Sequence, residues 1–121
     1  MTDLRRMREA DYHPDRWMIL KIFERESAKT HYRVFATWGG SYLGGQSWQM
    51  NSGIVSVDED DAYFYFNGSS GSVYACHKSD GAYGAFSFGL SQLHYMMEQA
   101  RGMIEVIEMP EHTNWKGLKY D

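Results

Sequence analysis

Cysteine, proline and long apolar runs are all scarce in this 121-residue sequence, and each shortage excludes something. The single cysteine, Cys76, cannot form an internal disulfide. Secreted domains of this size are commonly stapled by several, so a reducing cytoplasm is the expected compartment. With only two prolines and 43% hydrophobic residues, the chain does not have the composition of a disordered segment. The longest apolar run, Trp17-Met18-Ile19-Leu20, is far too short to span a bilayer. The first residues carry early positive charge with no apolar stretch behind it, so no secretory signal is expected.

The fourth shortage is regional. No lysine or arginine occurs between Arg33 and Lys78. Residues 1–33 hold eight bases and six acids, a net charge of +2, while the remainder holds four bases and ten acids, a net charge of −6. The formal total of −4 argues against a general nucleic-acid coat, which needs a dense basic surface to displace counterions. Aromatics, by contrast, are abundant: 9 Tyr, 6 Phe and 4 Trp.

The periodicity predicts an α+β domain. A short helix is expected within residues 2–10, capped by Thr2 or Asp3, as part of an N-terminal arm over 1–15. Strand patterns follow at Arg16–Phe23 and His31–Trp38, joined by a charged link. Gly39-Gly40-Ser41-Tyr42-Leu43-Gly44-Gly45 reads as a loop of unusual backbone shape. Ser47–Met50 and Gly53–Val57 read as strand pieces with a bulge or bend at Asn51-Ser52. After an acidic turn at Asp58–Asp61, two aromatic stretches around Asn67–Gly71 predict a hairpin with Tyr65 opposite Val73 and Phe64 opposite Tyr74. Its two faces, Tyr63/Tyr65/Val73/Ala75 and Phe64/Phe66/Tyr74/Cys76, are both apolar, so it should be covered on both sides. Residues 79–89 read as a Gly- and Ser-rich loop. Leu90, Leu93, Met97 and Ala100 form one stripe of a main helix over Leu90–Arg101, ended by Gly102. Met103–Met109 is expected to rejoin the sheet, and residues 110–121 form a tail without a clear period. The expected architecture is a single domain: a curved antiparallel sheet of about five to six strands with one helix on a face. A small barrel wrapped on a helix is the alternative.

No motif specifies a reaction. The glycine loop lacks a Gly-Lys-Ser/Thr sequence, so a phosphate cradle is disfavoured. Cys76 and His77 are neighbours on a strand and point to opposite faces. His94 and Glu98 have helical i, i+4 spacing but no third ligand, so neither a metal nor another cofactor is expected. Cys76 lies among apolar residues, as an inert thiol would; an enzyme using Cys76, His77 or His94 is a further alternative. Trp38, Tyr42, Trp48, Tyr63 and Tyr65 could stack single-stranded nucleic acid, but their window lacks bases, and Arg5, Arg6 and Arg8 would have to fold back beside it.

The stretches Trp38–Leu43, Ser47–Ile54, Gly71–Lys78 and Ile107–Glu111 resemble small uncharacterised accessory proteins of tailed bacteriophages and prophages. The resemblance covers residues 16–112 and implies a protein of the bacterial host cytoplasm. By analogy it also implies a non-enzymatic inhibitor of a host nucleic-acid-handling defence complex such as CRISPR–Cas. On this reading, Tyr42, Trp48, Asp58, Glu59, Asp60 and Asp61 contact a host protein complex with a basic surface, without direct nucleic-acid or membrane binding. The alternatives are a small-ligand-binding or sequestering protein using the Gly39–Gly45 loop, and a minor phage assembly protein.

Overall fold

The computed structural model describes residues 3–40 and 46–120. A short helix, α1 (Leu4–Glu9), precedes six strands: β1 (Arg16–Glu24), β2 (Lys29–Trp38), β3 (Ser47–Met50), β4 (Ile54–Glu59), β5 (Tyr63–Gly68) and β6 (Val73–His77). The main helix α2 (Ser87–Gln99) and the last strand β7 (Ile104–Glu108) follow. The α+β class with one main helix agrees with the sequence reading. The strands, however, form two antiparallel sheets rather than one, ordered β3-β2-β1-β7 and β4-β5-β6.

The layering follows from which residues alternate on β1 and β2. Met18, Leu20, Ile22 and Phe35 point to one side, where α2 covers them with Leu93. Trp17, Ile19, Tyr32, Val34 and Ala36 point to the other, against Ile54, Phe66, Tyr74 and Cys76 of the second sheet. The outer face of that sheet, Tyr65 and Ala75, is covered by Ala10 and Met7 at the α1 end of the chain. The layers therefore run α2, four-stranded sheet, three-stranded sheet, α1. Among the described residues, no helix is long and apolar enough to cross a membrane.

Residues 1–15 are expected to form an arm; the described part is tied down throughout. Asp3 caps α1 by accepting from the Arg6 N–H. The chain then runs beside β6: Asp11 and Tyr12 N–H donate to Val73 O, and Ala75 N–H donates to Tyr12 O. The two strand pieces flanking Asn51 belong to different sheets, so the expected bend is a crossover. Buried Asn51 holds the turning point, its Oδ1 accepting from Val34 N–H at 2.8 Å and its own N–H donating to Val34 O. Gly53 then adopts a φ of +135°, which suits glycine.

The β5–β6 hairpin has the predicted faces but another register: Tyr65 lies opposite Ala75 and Phe64 opposite Cys76. The slip is two residues, and an even slip leaves every side chain on its side. The expected tail supplies the largest fully buried side chain, Trp115, 1% exposed between the sheets. Truncating it removes a core plug, so Trp115→Ala should lower stability by about 3–5 kcal/mol in chemical denaturation.

The helix begins at Ser87, three residues before the expected Leu90. Its Gly89 is pressed onto the first sheet: a Cβ there would lie 2.5 Å from the Thr37 methyl. Thr37 is fully buried and its hydroxyl is held by Arg16 O and Phe86 N–H, so the methyl cannot yield. In an open helix, Gly→Ala would stabilise by about 1 kcal/mol. Here overpacking of about 1–3 kcal/mol opposes it. Gly89→Ala should therefore lower the melting temperature by a few degrees rather than raise it.

Candidate functional site

The residues singled out by sequence are dispersed. Tyr42 and most of the Gly39–Gly45 loop lie outside the described residues. Trp48 is half-buried on β3, its ring stacked on Phe35 at 5.7 Å on the α2 side. Asp58 and Glu59 end β4, and Asp60 and Asp61 make the turn into β5 on the other sheet. The structure therefore does not join Trp48 and the acidic turn into one surface patch.

The acidic turn has internal partners that the base-free window could not reveal. The basic ones arrive from outside that window. Arg6 of α1 pairs with Asp58 at 2.5 Å, and its guanidinium lies over the Tyr65 ring. Lys78, just past β6, reaches Glu59 at 2.6 Å and Asp60 O at 2.6 Å. Asp60 accepts from the N–H groups of Asp3, Ala62 and Tyr63, each at 2.9 Å, and from the Tyr65 hydroxyl at 2.6 Å. Burial opposes its charge, but these donors prevail and hold the carboxyl well below the ordinary carboxylate range. The same burial and the neighbouring carboxylate push the Tyr65 hydroxyl up.

Beyond Lys78 the chain forms a cleft of about 360 Å³. Its aromatic lining comes from Trp17, Phe64, Tyr83 and Trp115. Trp17 is the hub of these rings, 5.0 Å from Tyr83 and 5.9 Å from Phe64, both edge-on; Tyr83 stacks on Trp115 at 5.9 Å. Polar groups line the rest: His77 and Lys78 from the end of β6, Asp80 from the next loop, and Glu111 and His112 from the tail.

The Gly- and Ser-rich loop over 79–89 is held by one side chain. The Arg16 guanidinium donates to Gly81 O, Tyr83 O and Ala85 O at 3.0–3.3 Å. A Cβ at Gly84 would lie 2.5 Å from this guanidinium, and its φ is +132°. Tyr83 is fixed in turn: its hydroxyl accepts from Ile19 N–H at 3.1 Å and donates to Met109 O at 2.5 Å. Burial pushes that hydroxyl up to about 12, so it remains a donor at neutral pH. Trp17 Nε1 donates to His77 O, and the His77 ring is bonded to Asp15 O.

The candidates Cys76, His77 and His94 are not brought together. Cys76 is fully buried between the sheets, and burial pushes its thiol up, away from the nucleophilic thiolate. His94 is exposed on α2 beside Glu108, on the opposite side of the first sheet. Glu98 faces Arg101 at 3.5 Å. Among the described residues, no three His, Cys, Asp or Glu gather as metal ligands would.

Sequence reasoning missed the cleft because its walls come from four separate stretches. The one local signal was Lys78, the first base after the long gap, directly following an aromatic strand. Comparison with protein families, curated proteins and solved structures finds no match to this chain.

The depressed pKa of Asp60 has a signed consequence. Its stabilising contribution is complete above the unfolded carboxylate value, about 3.9, and is lost as pH falls below it. Wild type should therefore be more stable than Asp60→Asn at pH 7. The gap should narrow toward pH 3, as read by urea denaturation at a series of pH values.

Proposed function

We propose that this protein acts by binding a partner protein, not by transforming a substrate, and that the aromatic cleft receives a basic side chain of that partner. The observation carrying this reading is the protein's own Lys78. Its ammonium lies 4.6 Å from the Phe64 ring centre with the Glu59 carboxylate 2.6 Å away. Aromatic faces and carboxylates together are the environment that favours a lysine or arginine from another molecule. Asp80 and Glu111 supply further carboxylates beside the rings. Asp58–Asp61 continue the acidic residues along the neighbouring edge, with Arg6 paired to Asp58 and Lys78 to Glu59. Such a field speeds encounter with a basic surface, while the cleft provides the anchor.

The likeness to phage accessory proteins supplies a setting for the proposal: inhibition of a host defence complex, such as CRISPR–Cas, in the bacterial cytoplasm. A second reading is favoured by the size and lining of the cleft. About 360 Å³ bordered by four rings and two histidines also suits a small planar ligand.

Titration with a blocked Arg-containing peptide and its Gln counterpart, followed by tryptophan fluorescence, tests the main reading. The Arg peptide should bind more tightly and weaken with added salt, and an Asp80→Lys/Glu111→Lys variant should lose at least about tenfold in affinity. Equal binding of both peptides, or an indifferent double variant, would overturn it. A metabolite retained in native mass spectrometry of protein from its natural host would favour the second reading.

A further inference from the structure

A second cavity, of about 280 Å³, lies on the opposite side of the first sheet, beneath α2. It arises from the course of the helix. At its start, Gly89 sits directly on Phe35 and Thr37; at its end, Ala100 meets Ile104 as β7 begins. The helix thus crosses the sheet obliquely and leaves part of β1 and β2 without close cover. Leu20, Ile22, Leu93 and Val106 line the gap together with three methionines, Met50, Met96 and Met97. Methionine side chains adapt readily to the shape of an apolar guest.

One margin of this apolar cavity is charged. Arg33 lies opposite Leu20 and His31 opposite Ile22, so both share the helix-facing side of the sheet. Arg33 is half-buried, and the only protein acceptor it has among the described residues is His31 Nε2, 3.0 Å from its Nε. Its two terminal nitrogens, the fork that grips a carboxylate, have no protein acceptor there. Glu24, further along β1, also borders the cavity but faces the other ring nitrogen of His31 at 3.6 Å. Burial and Arg33 both lower the basicity of His31, which suits a neutral ring accepting from Arg33.

We infer that this cavity binds a single-chain fatty acid, its alkyl chain among the methionines and its carboxylate on the free fork of Arg33. An apolar wall explains the chain, and a cation at its margin whose fork has no protein acceptor among the described residues explains a negative head. The inference is independent of the cleft, which lies across the sheet.

Protein labelled at the methionine methyls should be titrated by NMR with decanoate below its micellar range, and in parallel with 1-decanol. Decanoate should shift the Met50, Met96 and Met97 methyls saturably and bind more tightly than decanol. Arg33→Gln should weaken decanoate about tenfold or more while leaving decanol unchanged, and Arg33→Lys should recover part of the loss. Unmoved methyls, equal affinity for acid and alcohol in wild type, or a dimer covering these methionines in sedimentation and NMR would overturn the inference. If Arg33→Gln does not fold, the wild-type comparison of acid and alcohol decides alone.

Discussion

The double-sided burial of β1 is the constraint from which the architecture follows. Trp17, Met18, Ile19 and Leu20 are consecutive, so alternate residues must point in opposite directions, and all four are at most 5% exposed. A strand of this kind needs an apolar layer on each side. The helix α2 provides one. The second sheet provides the other, and because its own hairpin is apolar on both faces it needs cover in turn, which the α1 end of the chain supplies. Four layers thus result from one strand and one hairpin whose alternation has no polar side.

The same stacking resolves the uneven charge. The basic first third and the base-free window are distant in sequence, yet α1 folds over the outer face of the second sheet and brings Arg6 to Asp58 and Tyr65. The internal hydrogen bonds of Asp60 then tie the start of the chain, through the Asp3 N–H, to the β4–β5 turn. A surface that reads as a plain run of four acids is in fact a joint between layers.

What could be read from sequence and what could not divide along the same line. Local alternation revealed both faces of the β5–β6 hairpin, and a two-residue slip in register did no harm to them because the pleat repeats every two residues. The stripe Leu90, Leu93, Met97 and Ala100 located α2, although its start was hidden in a glycine-rich stretch that Arg16 orders from far away in the chain. The break at Asn51 was visible, but the change of sheet depends on Asn51 bonding to Val34, which no local pattern encodes. Trp115 stands alone in an aperiodic segment, and only the gap it fills reveals its role. The acidic turn was legible as charge; the rings beside it, drawn from β1, β5, the 77–83 region and the tail, were not legible as a site.

Trp115 also sets a schedule. A chain leaving the ribosome can pair β1 with β2 and β5 with β6 early, since those contacts are near in sequence. The space between the two sheets nevertheless remains unfilled until residue 115 has emerged, and β7 cannot join β1 until shortly before that. The nascent chain must therefore carry these aromatic surfaces unsealed until residue 115 is available, and closure of the core then couples all the layers at once.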